Sequence, residues 1–186
     1  MNKRILVTGG TGYIGSHTVV ELQNSGYEVV IIDNLSNSRA DVVDNIEKVS
    51  GVRPIFEQLD CLDYAGLDAL FAKYDNIKGI IHFAASKAVG ESVEKPLMYY
   101  RNNLVSLINL LELMPKYGVE GIIFSSSCTV YGQPDILPVT EAAPTKVAES
   151  PYGNTKQINE EIIRDYVKSG APVNAILLRY FNPIGA

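Results

Sequence analysis

Short apolar runs alternate with longer, helix-compatible segments along the chain. The runs are typical of strands that are buried on both faces. We expect strands near residues 4 to 8, 28 to 33, 54 to 59, 79 to 83, 121 to 126 and 174 to 180. The intervening segments predict helices near residues 13 to 25, 40 to 50, 64 to 74, 96 to 116 and 151 to 169. This alternation predicts an α/β fold, a doubly wound parallel sheet with helices on both faces.

One long irregular segment interrupts the alternation. It extends from Thr129 to Glu149 and contains three prolines. A loop of this length in a compact domain is usually functional, for example as a lid. The helix that follows has a well-marked start, because Ser150 is a suitable N-cap and Pro151 a suitable first helical residue.

The first strand leads into a glycine-rich turn. In this turn Gly9, Gly12 and Gly15 have the spacing G-x-x-G-x-x-G. One glycine permits the turn, one lets the backbone approach a pyrophosphate, and one lets the helix pack closely on the strand. The phosphates would bind the unpaired N–H groups at the helix start. Strand, turn and helix together predict a Rossmann-type dinucleotide site, with a purely structural turn as the alternative.

An acidic residue ends the second strand. Asp33 follows Gly15 by eighteen positions. An acid at about 20 positions usually accepts hydrogen bonds from the adenosine ribose and repels a 2′-phosphate. The sequence therefore favours NAD over NADP, although nearby Arg39 leaves some NADP binding open. The alternative for Asp33 is an ordinary acid at a strand end.

Polar residues follow most of the predicted strands, and ligands of parallel sheets bind at that edge. Asp60 could accept a hydrogen bond from the adenine amino group, or it could simply form a turn. Ala84 and Ala85 leave room for a cofactor against the backbone. His82 is predicted to be a hydrogen-bonded histidine at a buried strand end rather than a catalyst.

Tyr152 and Lys156 are four positions apart on a predicted helix, so both project from one face. A tyrosine with a pKa of about 10 is a poor base at neutral pH. We expect the lysine and the positive nicotinamide of NAD⁺ to lower that pKa. Ser127, at the end of the fifth strand, would hydrogen-bond the same substrate hydroxyl. Together these residues predict general-base chemistry, although Y-x-x-x-K alone also arises by chance on surface helices.

Composition narrows the partners and the compartment. The 186 residues suit one domain, and 16 Lys and Arg against 21 Asp and Glu give a net charge of −5. We therefore expect neither nucleic acid nor an anionic membrane as a partner. No apolar run is long enough to span a membrane, and we expect no signal peptide. Cys61 and Cys128 match no metal spacing, so we expect a cytoplasmic protein without a metal site.

Six segments together resemble the extended short-chain dehydrogenase/reductase superfamily, and within it the N-terminal half of the UDP-hexose 4-epimerase family. The segments are T-G-G-T-G-Y-I-G-S-H at 8 to 17, D-N-L-S-N-S at 33 to 38, K-A-V-G-E-S at 87 to 92, S-S-S-C-T-V-Y-G at 125 to 132, S-P-Y-G-N-T-K at 150 to 156 and L-R-Y-F-N-P-I-G-A at 178 to 186. The glycine and Tyr/Lys motifs are common to the superfamily. K-A-V-G-E-S and F-N-P-I-G-A are more particular to the epimerases.

The resemblance implies interconversion of UDP-galactose and UDP-glucose by transient oxidation at C4 of the sugar, with tightly held NAD. Tyr152, Lys156 and Ser127 would be catalytic, and Lys87, Ser127, Tyr152 and Asn182 would contact the substrate. The implied cofactor site comprises Gly9, Gly12, Tyr13, Ile14, Gly15, Asp33, Asn34, Leu35, Ser36, Asn37, Ser38, Asp60, Cys61, Phe83, Ala84, Ala85, Ser86, Lys87, Asn102, Ser125, Tyr152, Lys156, Tyr180 and Phe181. The family's dimers imply a homodimer through the helices at 96 to 116 and 151 to 169.

Related sugar-nucleotide dehydratases carry an Asp-Glu pair where this chain has Cys128 and Thr129, which argues against dehydration. Uronate epimerases and decarboxylases keep the Ser/Tyr/Lys set and are the enzymatic alternative. A noncatalytic NAD-binding domain is the alternative from another class. The resemblance also implies that residues 1 to 186 are the NAD-binding domain of a longer protein. We therefore expect little or no activity from these residues alone.

Overall fold

The computed structural model describes residues 3–184 and places a six-stranded parallel sheet at their centre. The strands lie in the order β3-β2-β1-β4-β5-β6. They are β1 (Arg4–Thr8), β2 (Glu28–Asp33), β3 (Ile55–Gln58), β4 (Ile77–His82), β5 (Gly121–Ser127) and β6 (Asn174–Tyr180). Gly185 and Ala186, the last two residues of the F-N-P-I-G-A segment, lie outside the described residues.

Between residues 3 and 184, six α-helices connect the strands and cover both faces of the sheet. They are α1 (Tyr13–Asn24), α2 (Val42–Ser50), α3 (Tyr64–Lys73), α4 (Val89–Glu94), α5 (Pro96–Lys116) and α6 (Pro151–Lys168). A short 3-10 helix, Cys128–Tyr131, follows β5. The predicted fold class, a doubly wound α/β sheet, is confirmed.

The central strands are apolar because helices cover both of their faces. Leu6 packs in a core with residues of α3, α5 and α6, whereas its neighbour Val7 packs with residues of α1 and α2. Neither side chain has any exposed surface. Burial on both faces explains why the sequence shows an uninterrupted apolar run here rather than an alternation.

The glycine turn after β1 is shaped by close packing. At Gly9, with a positive φ of +68°, a Cβ atom would lie 2.8 Å from the backbone nitrogen of Ala84. At Gly15 a Cβ atom would lie 2.2 Å from the carbonyl oxygen of Gly9. These contacts support the predicted uses of two glycines, one for the turn and one for close packing of α1.

Three local features differ from the sequence prediction. The pattern predicts no helix between residues 87 and 95, but α4 forms there. β5 extends to Ser127, because its last residues continue to pair with β6 up to Tyr180. The predicted loop from Thr129 to Glu149 begins within the 3-10 helix and is otherwise irregular.

No helix within residues 3–184 is both long enough and apolar enough to cross a membrane. In the same part of the chain, no group of three or more histidine, cysteine or acidic residues is arranged to hold a metal ion. Both cysteines are free thiols.

Candidate active site

The predicted site residues gather at the carboxyl edge of the sheet, where the glycine turn meets the ends of the strands. Gly9 donates its backbone N–H to the carbonyl of Ile32 in β2, and Phe83 donates to the carbonyl of Thr8 in β1. The turn is therefore fixed between the ends of β2 and β4. This position is the crevice in which sheets of this type bind ligands.

The start of α1 has the properties of an anion site. Its N-cap is Gly12, and among the described residues no side chain caps the helix and no acidic residue lies in its first turn. The first N–H groups of the helix are thus left without a side-chain acceptor, and the helix dipole favours negative charge there. The turn and the helix start fit a diphosphate.

Asp33 organises the loop that follows β2. Its carboxylate accepts hydrogen bonds from the backbone N–H of Leu35 at 2.9 Å, from the Ser38 hydroxyl at 3.0 Å and from the N–H of Thr11 at 3.3 Å. Ser38 and Thr11 are also joined through their hydroxyls at 2.8 Å. The acid therefore ties the loop from residue 33 to residue 38 directly to the glycine turn.

Asp60 and Asn34 lie together on the β3 side of the site. The Asn34 amide donates to Asp60 at 2.9 Å, and the same carboxylate accepts from the N–H of Leu62 at 2.8 Å. The turn-forming role that was the alternative for Asp60 is thus present. Burial, followed by the charges of Asp60 and Asp33, raises the pKa of the neighbouring Cys61 thiol to about 12. Cys61 is therefore a buried, protonated thiol.

His82 is a hydrogen-bonded core histidine, as predicted. Its Nδ1 and the Thr8 hydroxyl are joined by a hydrogen bond of 2.7 Å, and the Thr8 oxygen also accepts from the N–H of Ala84 at 3.2 Å. Burial, assisted by the charge of Lys156, lowers the pKa of His82 to about 3. The ring is therefore neutral and holds the start of the loop after β4.

Sequence reasoning missed Asn103, which holds the next part of that loop. The Asn103 side chain accepts from the N–H of Ser86 at 2.8 Å and donates to its carbonyl at 2.9 Å. It also donates to the Thr155 hydroxyl in α6 at 3.0 Å, while the predicted Asn102 donates to the Ser86 hydroxyl. The signal in the sequence is an asparagine on the buried stripe of α5, where a polar side chain needs partners.

Tyr152, Lys156 and Ser127 come together as predicted. Ser150 caps α6 by accepting from the N–H of Gly153, which places Tyr152 in the first turn. Lys156 is buried one turn later and donates to the carbonyl of Ser125 at 2.7 Å. Its ammonium also lies 4.9 Å from the centre of the Phe124 ring. Burial lowers the pKa of Lys156 to about 8.

In the protein alone, Lys156 does not lower the pKa of Tyr152, and the expected joint effect with NAD⁺ stays a prediction. Burial raises the pKa of Tyr152, and the opposing hydrogen bond comes from Ser127 rather than from the lysine. The Lys156 ammonium lies 5.9 Å from the centre of the Tyr152 ring and is held by the Ser125 carbonyl. The sequence could show the spacing of these residues but not that the phenol is half-buried.

The ends of β4 and β6 meet through aromatic rings, whereas residues 181–184, which follow β6, are exposed. The centres of the Phe83 and Tyr180 rings lie 6.3 Å apart, and Tyr180 pairs with Ser127 in the sheet. Phe181 and Asn182, which were predicted to reach the cofactor and the substrate, are exposed, as is Lys87. The predicted site is thus compact at its catalytic centre and open on its outer side.

Comparison with known proteins places this geometry among sugar-nucleotide enzymes. A sequence profile of the NAD dependent epimerase/dehydratase family matches residues 5–186. The chain is 54% identical over 186 residues to the UDP-glucose 4-epimerase uge1 of Schizosaccharomyces pombe. It is 53% identical over 182 residues to the UDP-glucose 4-epimerase of Bacillus subtilis. These alignments cover 98% of this chain but only 52% and 53% of the two relatives.

A solved structure agrees closely with the fold. The UDP-glucose 4-epimerase from Bifidobacterium longum, in complex with NAD⁺ and UDP, matches with a TM-score of 0.96 and 47% sequence identity. The match covers 99% of this chain and 55% of that one. The chain therefore spans about half the length of the relatives that it matches.

Proposed function

Because this chain belongs to the NAD dependent epimerase/dehydratase family, we propose that it is the NAD-binding part of an epimerase that interconverts UDP-glucose and UDP-galactose. The observation that carries this proposal is the convergence of Tyr152, Lys156 and Ser127 at the same edge of the sheet as the glycine turn. The names of the relatives supply the substrate class. Because those relatives are about twice as long, we propose that most sugar contacts lie outside residues 1–186.

The cofactor would lie along the carboxyl edge of the sheet. The uncapped start of α1 would hold its diphosphate, and Asp33 would face its adenosine ribose. The loop from Phe83 to Lys87, with Asn102, and the ends of β5 and β6 would line the nicotinamide side. Bound there, NAD⁺ would supply reversible hydride transfer at C4 of the hexose.

Tyr152 would act as the base toward the sugar 4-hydroxyl. In the protein alone, burial raises the pKa of the phenol and the Ser127 hydroxyl lowers it, and the positive nicotinamide of bound NAD⁺ would lower it further toward the range that a base needs. Ser127 would also orient the sugar hydroxyl that loses its proton. With a pKa of about 8, Lys156 remains a cation at neutral pH, and it would hold the nicotinamide ribose beside the phenol.

An epimerase is favoured over a dehydratase by the residues after Ser127. Cys128 and Thr129 occupy the first positions of the 3-10 helix, directly after the catalytic serine. Neither side chain carries a carboxyl group, and removal of water from the sugar would require a carboxylic acid and a carboxylate as acid and base. Lys87 and Asn182, exposed at the outer side of the site, would contact the substrate.

We also propose a homodimer formed through α5 and α6, and a cytoplasmic location. The side chains of Val105 and Ile108 on α5 are 37% exposed, which gives this helix an apolar outer surface. Two helices from each subunit would cover that surface as a four-helix contact. Light scattering that finds only monomer at high concentration would contradict the dimer. The free thiols Cys61 and Cys128 suit a reducing compartment.

The first test is epimerase activity with a Tyr152→Phe variant. The chain is expressed with any continuation that its gene encodes, and interconversion of UDP-galactose and UDP-glucose is followed. We expect the parent to be active and the variant to lose about 10²- to 10⁴-fold in kcat, because the base is removed. Tyr27→Phe, which changes a tyrosine far from the site, is the matched control and should keep the parent rate.

Two results would change this proposal. If the parent binds NAD but leaves both sugars unchanged, the substrate assignment fails, and uronate epimerase or decarboxylase activity is tested next. If no sugar nucleotide is turned over and Tyr152→Phe binds NAD like the parent, a noncatalytic NAD-binding domain accounts better for the chain.

A further inference from the structure

A buried acid lies on the same face of α6 as the catalytic residues. Tyr152, Lys156 and Glu160 are spaced at intervals of four residues, so they follow one another at one turn of helix each. Only 1% of the Glu160 surface is exposed. A carboxylate buried to this degree is unusual and needs a full set of partners.

Four hydrogen bonds satisfy the Glu160 carboxylate. Oε1 accepts from the Ser126 hydroxyl at 2.6 Å and from Arg179 Nε at 2.9 Å. Oε2 accepts from Arg179 Nη2 at 2.7 Å and from Arg164 Nη2 at 2.6 Å. The paired bonds from Arg179 form a bidentate fork, which fixes direction as well as distance. Burial opposes ionisation, but these donors outweigh it and lower the pKa of Glu160.

The partners of Glu160 come from the elements that build the catalytic centre. Ser126 lies between Ser125, which holds Lys156, and Ser127, whose hydroxyl lowers the pKa of Tyr152 against the effect of burial. Arg179 pairs with Ser126 in the sheet and directly precedes Tyr180. Arg179 also lies 4.7 Å from the centre of the Tyr131 ring in the 3-10 helix. One carboxylate therefore joins α6, β5, β6 and the segment after Ser127.

We propose that Glu160 is a positioning residue that fixes the register of α6 on the end of β5. Three successive turns of α6 then meet three consecutive serines, so that Tyr152 reaches Ser127 and Lys156 reaches Ser125. The inference rests on the proposed function, because it assigns Glu160 a role in that reaction. The hydrogen bonds of Glu160 go to Ser126, Arg164 and Arg179 and not to Tyr152.

Apolar packing alone does not account for this arrangement. Contacts such as those of Ile163 with the core are nondirectional and define a helix position only loosely. A buried ion pair is often no more stabilising than apolar residues of the same volume. The Glu160–Arg179 ion pair therefore contributes to the position of α6 through its fixed geometry rather than through added stability.

The test compares Glu160→Gln with Glu161→Gln in the protein expressed with any continuation that its gene encodes. Glu161 is the next residue on α6 and is exposed. Glu161→Gln therefore makes the same chemical change without altering the hydrogen bonds of Glu160. For Glu160→Gln we expect kcat to fall about tenfold to a hundredfold while KM for the UDP-sugar changes less than about threefold. Glu161→Gln should keep both parent values. A rise in KM with unchanged kcat would overturn the positioning role.

A second variant separates loss of positioning from loss of folding. This control is needed because Glu160→Gln leaves the Arg179 charge without its partner and can destabilise the protein. In the double variant Glu160→Gln/Arg179→Gln no unpaired charge is buried, and two amides can hydrogen-bond. We expect this protein to fold and to show the same loss in kcat. A folded double variant with the parent kcat would overturn the proposal.

A crystal structure of the double variant gives a readout that does not depend on turnover. We expect α6 to be displaced, with the Lys156 to Ser125 hydrogen bond lengthened or broken. If α6 keeps its parent position, the positioning role is wrong, even when the epimerase assignment holds. If α6 is displaced but the parent turns over neither sugar, the epimerase assignment alone fails.

Discussion

Two buried basic side chains beside one phenylalanine are kept in opposite charge states. The His82 ring stacks 6.0 Å from the Phe124 ring, and the Lys156 ammonium lies 4.9 Å from the same ring. His82 has a hydroxyl partner and a pKa of about 3, so it remains neutral. Lys156 has a carbonyl partner and a pKa of about 8, so it remains charged at neutral pH. The positive charge at the site therefore belongs to the lysine.

His82 should make the stability of the protein depend on pH. Below its usual pKa of 6.5 the unfolded imidazole takes up a proton, whereas the folded one does not until about pH 3. The folded pKa is depressed, so the stabilisation is complete above 6.5 and is lost as the pH falls toward 3. We expect the free energy of unfolding to fall by up to about 1.4 kcal/mol per pH unit in this window.

Urea unfolding of the parent and of His82→Gln, between pH 7 and pH 5, measures this contribution. The variant should have the shallower pH dependence, since carboxylates contribute equally to both proteins. The exposed His17, changed in the same way, should leave the slope of the parent unchanged. Equal slopes for the parent and His82→Gln would show that His82 is protonated in the folded protein.

At the scale of residues, the sequence predicted the positions of the site residues better than their pKa values and hydrogen-bond partners. The strand-end position and apolar surroundings of His82 were enough to predict a buried, satisfied ring. The spacing of Tyr152 and Lys156 predicted their common face, but not that the lysine donates to the backbone and that burial raises the pKa of the tyrosine. Those effects depend on contacts between β5 and α6, which are distant in the chain.

At the scale of elements, α6 carries the site because of how it begins. Pro151 occupies the first turn, and the hydroxyl of Ser150 accepts from the N–H of Gly153 at 3.1 Å. Tyr152 lies within this first turn, which is the part of a helix most prone to fray. The cap therefore supports the phenol proposed as the base, as well as the helix.

Ser150→Ala should weaken both stability and catalysis. Loss of the cap costs about 1 kcal/mol, which lowers the melting temperature by a few degrees. Because Tyr152 lies two residues further on, kcat should also fall by about tenfold from misplacement of the base. Ser150→Thr retains a hydroxyl acceptor and should recover most of both losses. Thermal melts and epimerase assays would check this, and a melting temperature unchanged in Ser150→Ala would contradict it.

The missed α4 shows where local sequence patterns are insufficient. It is only six residues long, contains Gly90 and has no side-chain cap, so its intrinsic tendency to form a helix is low. Contacts elsewhere in the fold hold it: Ser92 is fully buried, and Glu91 accepts from the Tyr99 hydroxyl of α5. The longer elements, such as α5 and β5, were predictable because their apolar patterns extend over enough residues to be distinctive.

At the scale of the whole molecule, β6 leaves one edge of the sheet open within residues 3–184. It pairs with β5 on one side, and Ile176 and Leu178 on this strand are 55% and 39% exposed. An apolar edge strand is a template for pairing with other chains. Residues 1–186 prepared alone should therefore self-associate as their concentration rises.

Ile176→Lys should reduce that association, because an edge lysine opposes strand pairing. Val49→Lys makes the same change at an exposed position on α2, away from the edge, and should have a much smaller effect. Light scattering of residues 1–186 over a concentration series measures the difference. Equal behaviour of the two variants would show that another surface, such as the proposed α5 and α6 contact, drives the association rather than the β6 edge.

The strand order also determines when the strands can pair while the chain is being synthesised. β1 is made first and lies between β2 and β4 in the sheet. The hydrogen bond between Thr8 in β1 and His82 in β4 joins residues 74 positions apart. At ribosomal speeds this partner follows after roughly 4 to 15 s, and Tyr152 after a similar further interval. The end of the site near Asp33 can thus be assembled well before the phenol and the ammonium leave the ribosome. During synthesis the proposed catalytic groups therefore arrive well after the residues that would hold the diphosphate and the adenosine ribose.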